Sequence, residues 1–410
     1  MDWVDTFLNL TDGTRSPRIF RLWAAIATIS GILQRRVFTY TEAHPDPLAP
    51  NLFVVLTGKP ASGKGISIGV VRHLWTKVKG MYIAPDNPTK ASFFSALASA
   101  TRLVTDASGE IHLYSALSAP IFEFSVFIPR YDLEFISDLS LIWDNPPKYD
   151  KPRTSVESYD IDNPTLNLIA GVTPDLLGAL LPEAAWGQGI TSRLLFIYSN
   201  VESYNNSSYF KRRDPVELDK QLVPPLISAF DLCGEFEWSL EAQEAHINWL
   251  DAGKPGAPQH ARLEHYASRR DTHIMKLSMI SAVSSGKGLF VEIDDYERAH
   301  AWLSEAELAM PDVFRAMIQK SDDQVIADLH FAAYTHYVRR PLGKRVPIED
   351  EFLWEFLKDK VTSMAIPRII ETAEKSGMFR RATGVSANSR PKWIPKAFDS
   401  YVRPPSNQGA

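Results

Sequence analysis

The chain has 410 residues, 45% of them hydrophobic and 23% charged, with a formal net charge of −5. That balance excludes a disordered chain and a uniformly basic nucleic-acid coat, so any contact with nucleic acid falls to local basic surfaces. The single Cys233 excludes an internal disulfide or a cysteine metal cluster. Apolar runs stop short of the ~20 residues of a membrane span, and the opening Met1-Asp2-Trp3 lacks the basic stretch of a signal peptide, so no membrane contact and a reducing cytosol are expected.

Residues 3–40 read as helices, with Leu8, Ile19, Leu22, Ile26, Ile29 and Ile32 at helical spacing and Ser16-Pro17 as a helix start. Residues 41–50, with three prolines, read as a connector. An apolar run, 52–56, then leads into Gly58-Lys59-Pro60-Ala61-Ser62-Gly63-Lys64-Gly65 and a helical pattern. Strand, glycine turn and helix start in this order are the parts of a phosphate-binding loop: backbone N–H groups close around phosphates, and the helix N-terminus favours negative charge. Gly58, Pro60, Ala61, Ser62, Gly63, Lys64, Gly65 and Ile66 are the expected nucleotide contacts, with Lys64 reaching the phosphates. The hydroxyl that usually follows the lysine, and ligates Mg²⁺, is replaced by Gly65.

Further along, 81–84 reads as a short strand, 91–100 as a helix, and 102–105 and 111–115 as strands around a turn. The apolar run 119–128 contains one carboxylate, Glu123, expected at a strand end facing a site because an unpaired acid is costly to bury. A helix over 132–143 precedes a proline- and tyrosine-rich stretch, 145–163. It reads as a hairpin presenting Lys148, Lys151 and Arg153, or equally as a solvated basic loop. The strand 166–170 ends at Thr173, placed to meet a terminal phosphate or to cap the helix opened by Pro174. Arg193 sits between a glycine-rich loop and the strand 194–198, either as a positioned cation or as an ordinary surface residue.

Residues 201–213 are polar and mark a boundary. Beyond it come a strand over 236–240 and long helical patterns over 260–282 and 293–317. Arg269, Arg270 and His273 either approach a nucleotide or lie on a solvated helix face. Helices over 322–339, 349–360 and 367–376, then strands over 378–382 and 392–394, spell a winged helix whose basic residues include Arg368, Arg380 and Arg381, suited to DNA or to protein contacts.

Taken together, Glu123, Thr173 and Arg193 give the chain a resemblance to AAA+ ATPases of the minichromosome-maintenance helicase type, and more closely to the helicase-like ATPases of bacteriophages and mobile elements. Phe122-Glu123-Phe124 stands where those proteins have Asp-Glu-Phe; Ala170-Gly171-Val172-Thr173-Pro174 and Thr191-Ser192-Arg193-Leu194 match their sensor and arginine-finger segments. The resemblance implies an α/β P-loop AAA+ core over 46–200, preceded by an N-terminal helical element (1–45). A helical lid subdomain (201–320), a C-terminal winged helix (321–403) and a disordered tail (404–410) would follow. It implies an ATP-driven DNA helicase acting as a ring, a homo-hexamer, on single-stranded or forked DNA, with a primase or initiator partner, in a bacterial or phage-infected cytoplasm. In it Lys64, Glu123, Thr173 and Arg193 would be catalytic, Glu123 would also serve Mg²⁺, and Lys148, Lys151, Arg153, Arg368, Arg380 and Arg381 would touch nucleic acid. Gly65 and Phe122 depart from the pattern, and both departures fall on the metal site. They keep open a second reading, an ATP-binding, DNA-associated initiator or loader with weak or no hydrolysis. The loop alone also resembles that of nucleotide kinases, which lack a C-terminal winged helix.

Overall fold

The computed structural model describes residues 2–41, 44–86, 88–106, 109–128, 132–151, 159–181, 189–201, 215–339, 345–358, 361, 365–382 and 390–396. The chain divides into two compact units, Met1–Arg315 and Ala316–Ala410.

The first unit is a mixed α/β structure around a five-stranded sheet, in the order Thr101–Thr105, Ile111–Ile121, Pro164–Val172, Phe53–Thr57, Leu194–Tyr198. All neighbours are parallel except the first pair. Phe53–Thr57 and Pro164–Val172 are buried along their whole length. Their mostly apolar sequences, interrupted in the second by Thr165 and Asn167, suit strands covered on both faces. The run 119–128 is divided by the structure: its first part ends the strand Ile111–Ile121, and Phe124–Phe127 is a short helix with Glu123 at its N-cap. The stretch 81–84 contributes only a bridge, Ile83 to Ser118.

The helix Arg18–Leu33 lies inside the unit, with fourteen of its sixteen residues, Phe20 to Leu33, buried. Gly31 makes this possible, since a Cβ there would stand 2.3 Å from Trp75 Cζ2. The Trp75 indole also donates to Thr28 O at 3.0 Å. The helical reading to residue 40 is corrected. The helix stops at Leu33, Gln34 turns with φ 55°, and Val37–Thr41 forms a strand paired with His44–Leu48 in the expected connector. Val37-Phe38-Thr39-Tyr40-Thr41 is a β-branched and aromatic run, which favours a strand over continued helix. The strand expected over 236–240 is also shorter: Glu237–Trp238 is followed by Ser239, which caps the helix Leu240–Asp251.

The patterns over 293–317 and 322–339 form one helix, Ile293–Val338, because residues 317–322 contain neither glycine nor proline to end it. In the second unit, Asp350–Leu357 and Ile366–Lys375 are helices, and Ile348–Glu349, Lys392–Pro395 and Phe379–Arg381 make an antiparallel sheet in that order. Leu329, Leu353, Leu357, Ile366, Ile369, Phe379 and Trp393 form its core. Among the described residues no helix is long and apolar enough to cross a membrane.

Candidate functional site

The strand Phe53–Thr57 delivers the chain into the glycine loop, and the helix Lys64–Lys77 leads out of it. The loop is tied to its neighbours by backbone bonds: Gly58 N donates to Val172 O at 3.3 Å and Ser199 N to Thr57 O at 3.1 Å. Ala61 and Gly63 hold φ of 61° and 88°. At Gly63 no other residue fits, because a Cβ would lie 2.2 Å from Arg15 O and 2.6 Å from Ser16 Cα. Gly63 is the helix N-cap and supplies no side-chain cap, its carbonyl accepts from Ile66 N at 3.1 Å, and a helix N-terminus of this kind favours negative charge. Lys64 turns back over the loop, its Nζ donating to Gly58 O and Lys59 O at 2.7 Å each and to Ser62 Oγ at 3.2 Å. Pro60, Ala61, Gly65 and Ile66 are exposed at the mouth.

Glu123 and Thr173 follow parallel strands that end at the same edge as the loop. Phe122 O lies 2.8 Å, and Lys64 Cβ 3.6 Å, from the place a side chain on Gly171 would occupy. Glu123 is exposed. Thr173 is half-buried at the N-cap of Pro174–Leu180, and its hydroxyl makes no capping bond. Lys64, Glu123 and Thr173 therefore gather at the carboxyl edge of the sheet, the edge at which open α/β sheets bind ligands.

Arg193 is elsewhere. It precedes the strand Leu194–Tyr198, whose Leu194 pairs with Phe53, so it lies at the amino edge. The five-residue strand Phe53–Thr57 separates the edges by about 16 Å. Its side chain is 8% exposed and is held by Asp144 and by Gly189 O. This is an internal ion pair, not a cation presented at the surface. Arg269 donates to the same carboxylate at 2.9 Å and is 33% exposed. Lys276 and His273 complete the cluster: Lys276 Nζ reaches Asn51 Oδ1 at 2.6 Å and sits 3.7 Å from the Trp143 ring centre. Burial pushes the Lys276 ammonium well below its ordinary range and His273 down to about 3.

Neither sequence reading of Arg269, Arg270 and His273 describes the last two. Arg270 is 2% exposed, in a forked pair with Glu307, and His273 is fully buried. Charged side chains on a helix give no sign in sequence of the carboxylate that will cover them. Arg15 and Ser16 were equally invisible as loop neighbours, although Ser16 Oγ is bonded to Ser67 Oγ at 2.8 Å: the contact is between residues 51 positions apart.

The expected basic hairpin pairs Lys148–Lys151 with Tyr159–Asp162. Lys148 is exposed and bonded to Asp160 at 3.0 Å, which raises its pKa. Lys151 is placed by its backbone on the strand, whereas Arg153 and the tail 404–410 lie outside the described residues. Arg368 and Arg380 are exposed. Arg381 pairs with Glu374 at 2.9 Å and lies over Trp393.

Among the described residues, those beside the loop do not form a cluster with metal-ligand spacing. Position 65 has no side chain, the atom nearest to where its Cβ would be is Phe122 Cδ1 at 3.8 Å, and Glu123 is the single carboxylate contributed by this segment. Among the described residues the groups with metal-ligand spacing are Asp106, Glu110 and His112, and Glu292, Asp294 and Asp295. Neither includes a residue of the loop. No protein-family model matches the chain, and no curated protein matches it.

Proposed function

We propose that the chain is a P-loop nucleotide-binding protein of the AAA+ type: an ATP-driven DNA translocase, of the helicase kind, that works as a ring-shaped oligomer in phage or mobile-element replication. The observation that carries this reading is Lys64, fixed at the centre of a closed backbone loop between a buried strand and a helix N-terminus. In this reading Lys64 exchanges Gly58 O and Lys59 O for phosphate oxygens, and the loop amides hold the remaining charge. Glu123 orients the attacking water, and Thr173 contacts the terminal phosphate. Arg193 lies too far from its own loop to act there, so it would serve a neighbour's nucleotide after releasing Asp144. The hairpin at Lys148 would grip the strand, and the three-helix unit with Arg368, Arg380 and Arg381 would be a winged helix on nucleic acid or protein.

The decisive measurement is ATP turnover with and without single-stranded DNA, alongside the mass of the particle. DNA-stimulated turnover by an oligomer, abolished by Lys64→Ala and reduced ~10³-fold or more by Arg193→Ala, is the expected result. A monomer that hydrolyses ATP at an undiminished rate with Arg193→Ala overturns the ring mechanism.

A second reading is favoured by Gly65 and Phe122, which leave the loop without its usual metal ligands. Here nucleotide binding assembles a DNA-associated initiator or loader with little hydrolysis. Tight ATP binding with negligible turnover in the presence of DNA would select it, and strand separation dependent on Lys64 would eliminate it.

A further inference from the structure

Arg36 and Arg102 each bury Nε and Nη2 without a hydrogen-bond partner. Arg36 is 6% exposed. Both guanidiniums lean on the same ring, with Cζ 3.7 Å (Arg36) and 5.7 Å (Arg102) from the centre of Phe230, and Arg102 is also 4.4 Å from that of Tyr82. Neither has a carboxylate as a hydrogen-bond or ion-pair partner among the described residues. The charge of Asp231 acts on Arg36 through space only, and the two arginines repel each other, which adds to burial in lowering Arg36. Stacking on aromatic faces holds the planes but leaves the N–H edges unused. Two like charges with four unmatched buried donors are an unfavourable arrangement unless something supplies the acceptors.

The surroundings are built to keep the pair in place. Arg36 O accepts from Gly234 N at 2.9 Å. Arg102 faces Tyr114 across the strand pair, and the Tyr114 hydroxyl donates to Gln34 Oε1 at 3.2 Å. Gly80, at φ +97°, borders the group: a Cβ there would stand at ordinary contact distance from it, 3.4 Å from Arg102 Nη1 and 3.5 Å from Phe230 Cε1. Burial pushes the Tyr114 hydroxyl up to about 12, against the pull of both arginines, so it stays protonated and able to donate.

The unpartnered Nε–Nη2 edge is the fork with which a guanidinium matches two oxygens of a phosphate. We propose that Arg36 and Arg102 together bind a small tetrahedral oxyanion, an inorganic phosphate or the phosphate of a mononucleotide, at a site distinct from the glycine loop. The pair lies beside Ser115, which aligns with Pro164 at the start of the strand whose last residue, Val172, touches Gly58. Eight residue steps of strand put the two sites about 25 Å apart.

The test is thermal unfolding and titration calorimetry of the full chain in phosphate-free buffer, with inorganic phosphate, AMP and chloride at matched ionic strength as probes. Millimolar phosphate should raise Tm by about 3 °C or more. Lys64→Ala should keep that gain, and Arg36→Met and Arg102→Met should lose it. In phosphate-free buffer Arg102→Met should be at least as stable as the parent, since it removes a like-charge contact, and that shows it is folded. Arg102→Lys keeps the charge but not the fork, and should weaken binding about tenfold. AMP binding at least as tightly as phosphate identifies the monoester as ligand, and phosphate alone identifies the free ion. A Tm gain no larger than with chloride, or one that survives both methionine variants, overturns the proposal. So does a gain lost in Lys64→Ala, which would place the anion in the loop, whatever the fate of the ATPase reading.

Discussion

Gly65 has room for a side chain. Its Cβ would find Phe122 Cδ1 at 3.8 Å and nothing nearer, an ordinary van der Waals distance. Gly65→Ser should therefore fold, and gain about 0.5 kcal/mol from the lower helix propensity of glycine, measured as a shift of the urea midpoint. It also places a hydroxyl next to Lys64, so ATP affinity should become more dependent on Mg²⁺ than in the parent, read by calorimetry with and without EDTA. Unchanged Mg²⁺ dependence would show that Phe122 governs the site. The glycine turn between strand and helix was legible in sequence because its residues, Gly58 to Lys64, lie within one short run of the chain. Phe122 against Gly65, and Arg15 against Gly63, were not, since each contact joins residues brought together only by folding.

Between the helices Arg270–Ser284 and Ile293–Val338 a buried ion pair replaces the usual apolar contact. Arg270 Nε and Nη2 meet the two oxygens of Glu307 at 2.7 and 2.9 Å, and Tyr266 Oη adds a bond of 2.9 Å to the same carboxylate. The remaining Arg270 donor is taken by Lys254 O and Pro255 O. Removing one member strands a charge in the interior, so Arg270→Met or Glu307→Leu should each cost about 3–5 kcal/mol. The double variant should cost much less than the two together, and a double-mutant cycle in urea measures the difference. Elements of this kind mislead a sequence reading in a definite way. Arg270 and His273 have the spacing of a solvated face, and partners remote in sequence, Glu307 for Arg270 and the Ser192 carbonyl for His273, turn that face inward. The strand Val37–Thr41 was missed for another reason: the helical spacing of Ile26, Ile29 and Ile32 runs straight into it, and the break is a single backbone turn at Gln34.

At the scale of the molecule, acid should destabilise the first unit. Burial holds His273 down to about 3, and burial with the neighbouring Arg270 charge holds His300 to about 4. In the unfolded chain both titrate near ~6.5. Between those values the unfolded state binds more protons, so stability is full above about pH 6.5 and falls as the pH drops toward 3–4, by about 1.4 kcal/mol per pH unit for each histidine. Urea midpoints at pH 5 and 7.5 should show the loss, and His273→Gln should flatten it. The α/β character of this unit was legible from buried runs such as 52–56 and 166–170, but the order of strands in the sheet was not, because pairing is fixed by crossovers and not by local pattern. That order has a consequence for symmetry. Lys64 and Arg193 occupy opposite edges of one sheet, so a contact joining the first of one copy to the second of another takes one of two forms: reciprocal, between two antiparallel copies about a two-fold axis, or head-to-tail between copies in the same orientation. The head-to-tail form gives a cyclic ring if the rotation closes, or an open filament if it does not.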